Sequence, residues 1–338
     1  MKAWLENYFN RVWYETSKPP LFLTILSLVY QTLIEFRRSA YQLGLFKSTS
    51  IPVPVIIVGN LSVGGTGKTP LTLWLVDFLH QQGYRPGVIC RGYGGDFTPK
   101  SLVQLLARDA DPFVYGDEAV LIAARSVCPV VVGKSRVAAA QHLLSNSHCN
   151  IIISDDGLQH LALKRDIKIV VIDGMRLFGN HHCLPAGPLR EPVSRIDDVD
   201  FLVCNGSSYP GATTMTLVGS TITNLLKHDQ QQPLSSLQEK PVHVVTGIGN
   251  PQRFFNALTQ AGLRFDTRVF PDHHQFTIDD LHFNDDYPLL MTEKDAVKCY
   301  HLATENYWML PVEAHLDSRF SESLSQLLEN NYGRCKTT

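Results

Sequence analysis

A chain of 338 residues, 44% of them hydrophobic, is long enough to bury a sizeable core and favours two domains over one. Lys and Arg total 30 against 32 Asp and Glu, a formal net charge of -2, so the basic field that general nucleic-acid binding requires is absent. Seven scattered cysteines, odd in number and without a C-x-x-C pair or a secretory signal ahead of them, argue against a disulfide framework and for reduced thiols facing a cytosol.

Residues 21–36, LFLTILSLVYQTLIEF, follow Lys18-Pro19-Pro20 and precede Arg37-Arg38. A bilayer-spanning helix needs about 20 predominantly apolar residues, and Gln31, Thr32 and Glu35 interrupt this run. The pattern predicts a helix lying in a membrane interface. Arg37, Arg38 and Lys47 would meet anionic headgroups, with Trp4, Tyr8, Phe9, Trp13 and Tyr14 at headgroup depth. The alternative is a helix buried against the protein body. A membrane-bound chain would favour a lipid substrate.

From residue 53 onward, short apolar runs alternate with longer amphipathic ones. Strands are predicted at 53–58, 86–90, 129–132, 150–153, 167–172 and 200–204, and helices at 70–82, 117–126 and 135–144, which implies a mostly parallel sheet with helices on both faces. The turn-rich NGSSYPGATT, an extended connector over 215–225 and the polar HDQQQPLSS then separate a second alternating set, with strands at 241–246 and 288–292 around a helix at 251–261. The expected organisation is an N-terminal helical segment over 1–50, a phosphate-loop core over 51–212, and a linker strand with a smaller α/β domain over 213–338.

Residues 58–70, VGNLSVGGTGKTP, join the first strand of the core to its first helix. Glycines let successive backbone N–H groups point into one concavity, and the helix that follows turns its positive end to an anion. Gly64, Gly65, Thr66 and Gly67 supply the loop, Lys68 would reach the β- and γ-phosphates of ATP, and Thr69 would place its hydroxyl on Mg²⁺. Ser62 stands where the strict pattern has its first glycine, which predicts an ordinary backbone conformation there.

A phosphate-loop site also needs an acid at a neighbouring strand end, and NIIISDDGLQH provides Asp155 and Asp156, either of which could hold the metal. In YGDEAVLIAAR, Asp117 and Glu118 open a helix, a place that favours acids for dipole reasons and would also suit a carboxylate that accepts a hydroxyl proton. FPDHHQFT offers His273, or its neighbour His274, beside Asp272. Arg91, Lys134, Arg136, Arg190 and Lys294 are basic candidates in strand-end loops, where ligands gather in open α/β sheets. His181-His182-Cys183 lacks a second ligand pair at zinc-like spacing and reads as structural.

GNLSVGGTGKTP, RGYGG, GDEA, VGKSR, DDGLQH, LPAGPLREP, DHHQF and TEKDAVK together resemble the tetraacyldisaccharide 4'-kinase family, the lipid A 4'-kinases, over nearly the whole chain. The resemblance implies transfer of the ATP γ-phosphoryl group to the 4'-hydroxyl of a tetraacylated glucosamine disaccharide 1-phosphate, giving lipid IVA at the cytoplasmic face of the bacterial inner membrane. It implies that Gly67, Lys68 and Thr69 belong to the ATP loop and Asp155 and Asp156 to its acidic strand end. Asp117 would be the base and His273 its assistant, with Glu118, Arg190, Glu191, Gln159 and His160 at further active-site positions. ATP and Mg²⁺ are the expected cofactors, the membrane surface and the lipid the expected partners, and no obligate protein partner is called for.

Two other readings share the loop. One is a phosphoryl transferase or ligase acting on a soluble acceptor. The other is a nucleotide-switch or partitioning ATPase, whose sandwich-dimer version carries a lysine where this chain has Val63.

Overall fold

The computed structural model describes residues 2–15, 18–95 and 103–333. Cys335 and the side chain of Trp4 lie outside the described residues. Two N-terminal helices, α1 (Lys2–Tyr14) and α2 (Leu21–Gln42), precede β1 (Val55–Gly59) and α3 (Lys68–Gln81). There follow β2 (Pro86–Cys90), β3 (Val103–Leu105), α4 (Pro112–Tyr115), α5 (Asp117–Arg125), β4 (Val130–Gly133), α6 (Arg136–Asn146), β5 (Ile151–Asp155), β6 (Ile167–Asp173), β7 (Phe201–Asn205) and β8 (Thr213–Val218). The remainder comprises β9 (Thr221–Asn224), β10 (Gln231–Pro233), β11 (Val242–Thr246), α7 (Pro251–Gln260), β12 (Phe265–Val269), α8 (Ile278–Leu281), β13 (Leu289–Thr292), α9 (Glu293–Ala296), β14 (Tyr307–Leu310), β15 (Glu313–Leu316) and α10 (Ser318–Tyr332).

The first sheet has nine strands in the order β15-β8-β7-β6-β1-β5-β2-β4-β3, parallel except where β15 meets β8 and β3 meets β4. Its central strands are mostly apolar, as β1 illustrates with all five residues buried, because helices cover both faces, while β5 and β6 end in acids. Leu71, Leu75 and Leu79 of α3 pack on one face with Ile122 of α5 and Phe320, Leu324 and Leu328 of α10, while Ala139, Ala140 and Leu143 of α6 pack on the other. Strand order reverses at β1, with β5, β2 and β4 on one side and β6, β7 and β8 on the other. Ligands in open α/β sheets bind at such a reversal, and the glycine loop leaves β1 there.

The second sheet has six strands in the order β10-β9-β14-β13-β11-β12, parallel across β14, β13, β11 and β12. The sheets divide the chain differently from the expected 213–338 block. The connector over 215–225 is in fact β8 and β9, and β8 completes the first sheet beside β7. The chain then returns at its end, β15 pairing with β8 and α10 covering the first sheet. The physical reason is coverage: α10 carries an apolar stripe, Phe320, Leu324 and Leu328, and Phe320 packs on Phe201 of β7 and Trp74 of α3.

Of α2, only Leu23, Ser27 and Ala40 are buried, and Leu21, Phe22, Ile25, Leu26, Leu28, Val29, Leu33 and Phe36 are exposed. Among the described residues no helix is long and apolar enough to cross a membrane. The buried stripe of α2 is tied to the loop before β7: Ser27 Oγ donates to the Cys183 carbonyl at 2.7 Å, the Tyr30 hydroxyl donates to the Arg190 carbonyl at 3.2 Å, and Arg38 pairs with Asp198.

Candidate active site

The glycine loop closes on itself through side chains. Gly64 and Gly67 adopt left-handed conformations, φ 98° and 101°, whereas Ser62 stays outside that region, as the missing first glycine predicts, and bridges to Leu189. Asn60 Nδ2 donates to the Ser62 carbonyl at 2.7 Å, and Asn205 Nδ2, at the end of β7, donates to the Thr66 carbonyl at 3.0 Å. A side chain at 67 would collide with the Asn205 amide. Gly67 caps α3, so Lys68 and Thr69 stand in its first turn, at the positive end of the helix. The expected helix start at residue 70 thus lies two residues late, because glycine in a left-handed conformation already serves as the cap.

Asp155 ends β5, directly beside Val58 of β1. Its carboxylate accepts the Thr72 hydroxyl at 3.0 Å, and its carbonyl accepts Arg136 at 2.7 Å. Burial, then the negative charges of Glu118 and Asp156, push the Asp155 carboxyl up to about 7, against the pull of Lys68. Asp156 follows at φ 48°, a left-handed conformation that a non-glycine residue holds only where the surroundings enforce it. Arg190 reaches its two oxygens at 2.9 and 3.1 Å and Lys68 stands at 3.6 Å. Burial would raise its pKa, but Lys68 and Arg190 hold it well below the usual carboxylate range.

Asp117 opens α5 after Gly116, whose φ of 84° turns the chain into the helix. It is only 3% exposed, and His273, from the loop between β12 and α8, donates Nδ1–H at 3.0 Å to each of its oxygens. His273 is itself left-handed, φ 60°, and Tyr93 of the RGYGG loop stands edge-on to its ring at 5.2 Å. His274 points elsewhere, stacked on Phe270 and bonded to Asp280 at 3.0 Å, so the geometry pairs Asp117 with His273. Burial alone would raise the Asp117 pKa, yet the His273 hydrogen bond and the charges of Lys294, His273 and Lys298 take it below its ordinary value. On the histidine, burial pulls down but the bond to Asp117 wins and the pKa is raised. Lys294 lies among Glu118 at 3.0 Å, Asp272 at 3.2 Å and Asp117 at 3.9 Å.

The other predicted residues divide into two groups. Glu118 lines the cleft and Arg190 is tied to the acidic strand end through Asp156, while the half-buried His160 is neutral near pH 7 because burial, then Arg136 and Arg91, depress its pKa to about 4. Gln159 and Glu191 instead join a structural network: Gln159 Nε2 donates to one Glu191 oxygen at 2.9 Å, and Arg195 Nε to the other at 2.7 Å. Arg136 is buried and spends its guanidinium on the Asp155 and Gly133 carbonyls, while Arg91 and Lys134 are exposed. His181, His182 and Cys183 form no metal cluster, and among the described residues no group of three or more His, Cys, Asp or Glu is arranged to hold one.

Several site residues escaped sequence reasoning. A cavity of about 650 Å³ runs from the glycine loop and Thr69 between the domains to Asn205, Gly206, Leu217, Arg253, Asn256 and Gln260. Asp173, the last residue of β6, spans this gap, accepting Arg253 at 2.6 Å and Asn250 at 2.9 Å, while Arg176 donates to the Gly249 carbonyl at 2.7 Å. The signal for Asp173 was available in IKIVVIDG, an apolar strand ending in an acid as β5 does. Arg253, Asn256 and Gln260 carry no motif.

Residues 20–329 match the family described as LpxK, tetraacyldisaccharide-1-P 4'-kinase. The tetraacyldisaccharide 4'-kinase of Methylobacillus flagellatus is 49% identical over 324 residues, 95% of this chain and 94% of the relative, and that of Nitrosococcus oceani is 48% identical over 319 residues, 94% of each. Among solved structures, the "apo" form of LpxK from Aquifex aeolicus in complex with ATP superposes with a TM-score of 0.74 at 28% identity, covering 89% of this chain and 97% of the other. With its fold, loop and acidic pairs, and with these matches running almost end to end, the chain belongs to the tetraacyldisaccharide 4'-kinase family.

Proposed function

We propose that the chain transfers the γ-phosphoryl group of ATP to the 4'-hydroxyl of a tetraacyldisaccharide 1-phosphate, giving lipid IVA in lipid A biosynthesis. The observation that carries this reading is the convergence on one cleft of a phosphate loop and a buried Asp117 carboxylate held by His273 at 3.0 Å. The loop N–H groups, the start of α3 and Lys68 would neutralise the charge that develops on the transferring group. The cavity would take the nucleoside, walled on one side by Arg253, Asn256 and Gln260 of α7. Asp117, oriented by His273, would accept the proton of the attacking hydroxyl, and Glu118, Arg190 and His160 would meet the sugar. Gln159 and Glu191 would act by fixing that wall.

The donor set at the loop suits Mg²⁺. Asp155 is buried beside two further carboxylates, and burial first, then the charges of Glu118 and Asp156, raise its pKa, a strain that a bound cation would relieve. Thr69, Asp155 and Asp156 would hold the ion, which when bound would neutralise phosphate oxygens. An ion of this kind is commonly held by one or two carboxylates plus substrate phosphates and water.

The exposed apolar face of α2 supports a helix lying on the bilayer, which would put the cleft at the cytoplasmic face of the inner membrane. Incubation with labelled ATP and a tetraacyl disaccharide 1-phosphate in mixed micelles should give a labelled glycolipid, and Lys68→Ala should give none. If the wild-type chain labels no lipid, this reading fails. Leu26→Glu with Val29→Glu should abolish sedimentation with anionic vesicles while the fold is kept; unchanged sedimentation would remove α2 as the anchor.

A further inference from the structure

Lys298 closes the stretch TEKDAVK just beyond α9, four residues after Lys294. It is 3% exposed, in surroundings where an unpaired ammonium would be costly. Its Nζ stands 2.9 Å from Asp295 Oδ1 and 3.8 Å from Asp117 Oδ2, and it lies 4.9 Å from the ring centroid of Phe276. Asp295 is fully buried and cannot yield: its other oxygen accepts the hydroxyls of Thr246 and Thr292, both at 2.8 Å, and the Gly247 N–H at 3.2 Å. The ammonium is therefore anchored to the second sheet and turned toward a carboxylate of the first.

The charged groups around Asp117 come from three elements. His273 donates to both oxygens from the loop after β12, and the Glu118 N–H donates to Oδ1 at 2.8 Å within α5. From the α9 segment come Lys294 and Lys298. Lys294 is shared among three carboxylates, Glu118, Asp272 and Asp117, whereas Lys298 has only Asp295 and Asp117 among its ion-pair partners. Lys294 exerts the larger pull on Asp117, and Lys298, 3.8 Å from Oδ2 and held by Asp295, adds a second cation from the same segment.

We propose that Lys298 is a positioning residue for phosphoryl transfer, holding the Asp117 carboxylate ionised and aimed at His273 through its anchor on Asp295. This rests on the reading of Asp117 as the base. The sign follows from the charge. A cation removed from beside a carboxylate makes the carboxylate easier to protonate, so the acid limb of activity must move to higher pH. Asp117 and His273 are hydrogen-bonded at 3.0 Å, so the acid limb reports the pair rather than either residue alone.

The test is the pH dependence of kcat/KM for the lipid, with the full chain in mixed micelles, for wild type, Lys298→Gln, Lys298→Met and Asp117→Asn, with ATP binding and thermal midpoint measured alongside. Both lysine variants should shift the acid limb upward by about one pH unit, a loss of about tenfold on that limb, while ATP affinity stays within about twofold. Glutamine, which can still bond Asp295, should melt closer to wild type than methionine and show the same shift. An unmoved limb, with the rate lowered equally at every pH, overturns the proposal. So does early melting of both variants with loss of ATP binding, which would make Lys298 a purely structural residue. If Asp117→Asn turns over like wild type, the base assignment itself is wrong. If it collapses while the lysine variants keep the wild-type profile, only the role of Lys298 falls.

Discussion

The two acidic centres of the cleft are built in opposite ways. Asp155 and Asp156 take their partners Lys68, Thr72, Arg136 and Arg190 from the nine-stranded domain to which they belong. Asp117 belongs to that domain too, but His273, Lys294 and Lys298 reach it from the six-stranded one. The cluster around the phosphate loop is complete within a single domain, and the cluster around Asp117, which we read as the proton acceptor, exists only while the two domains are together. Gripping of the phosphates and activation of the acceptor should therefore be separable by mutation, the first resting on one domain and the second, like the α7 wall of the nucleoside cavity, on the interface.

The largest expected effect tests the self-contained half. Lys68→Ala should lower turnover on the order of a thousandfold in the labelled-lipid assay, because it removes a charge aimed at the transferring group. Next comes the half built across the interface. His273→Asn, an exchange that the left-handed backbone tolerates, should lower turnover on the order of a hundredfold and leave ATP affinity within about twofold by calorimetry. A matching loss of ATP affinity would break the comparison.

Arg253→Ala tests the interface directly. It leaves Asp173 buried with one charged partner fewer, and should raise the KM for ATP about tenfold with a smaller change in kcat. The smallest effect is thermal. The folded pKa of His273 is raised above its ordinary value of 6.5 and that of Asp117 lowered below its ordinary 3.8, so the pair contributes its full stability between about pH 4 and pH 6.5 and loses it as pH rises through the folded value of His273. The thermal midpoints of wild type and His273→Asn should differ by about 2 °C at pH 6 and converge by about pH 9. A gap that widens with pH would reverse the assigned sign.

Legibility in the sequence followed the same division. The loop, α3 and the acids at the end of β5 lie where a strand, a glycine turn and a helix succeed one another, so local pattern was enough to place Lys68, Thr69, Asp155 and Asp156. Asp117 and His273 are 156 residues apart, and what paired them at the level of sequence was a family resemblance rather than any periodicity. Arg136 looked like a ligand contact because its stretch reads as a strand-end loop, and Glu191 because the family resemblance put it at the active site, yet their partners, the Asp155 carbonyl and Arg195, are set by packing. Arg253 and Asn256 on α7 were invisible for a related reason, since an amphipathic helix does not reveal which of its polar residues will face another domain. The return of β15 and α10 to the first sheet was likewise not written locally, because strand pairing across about 100 residues leaves no short-range trace.

Gly67 carries a consequence for how such a chain can change over generations. Its φ of 101° disfavours any other residue, and the Asn205 amide already occupies the space a side chain would need. Shrinking Asn205 first would open that space but strip the Thr66 carbonyl of its donor, so each single step is harmful on its own. Two positions 138 residues apart are thereby tied into one inherited character, and descendants should be found to keep both or to have replaced both.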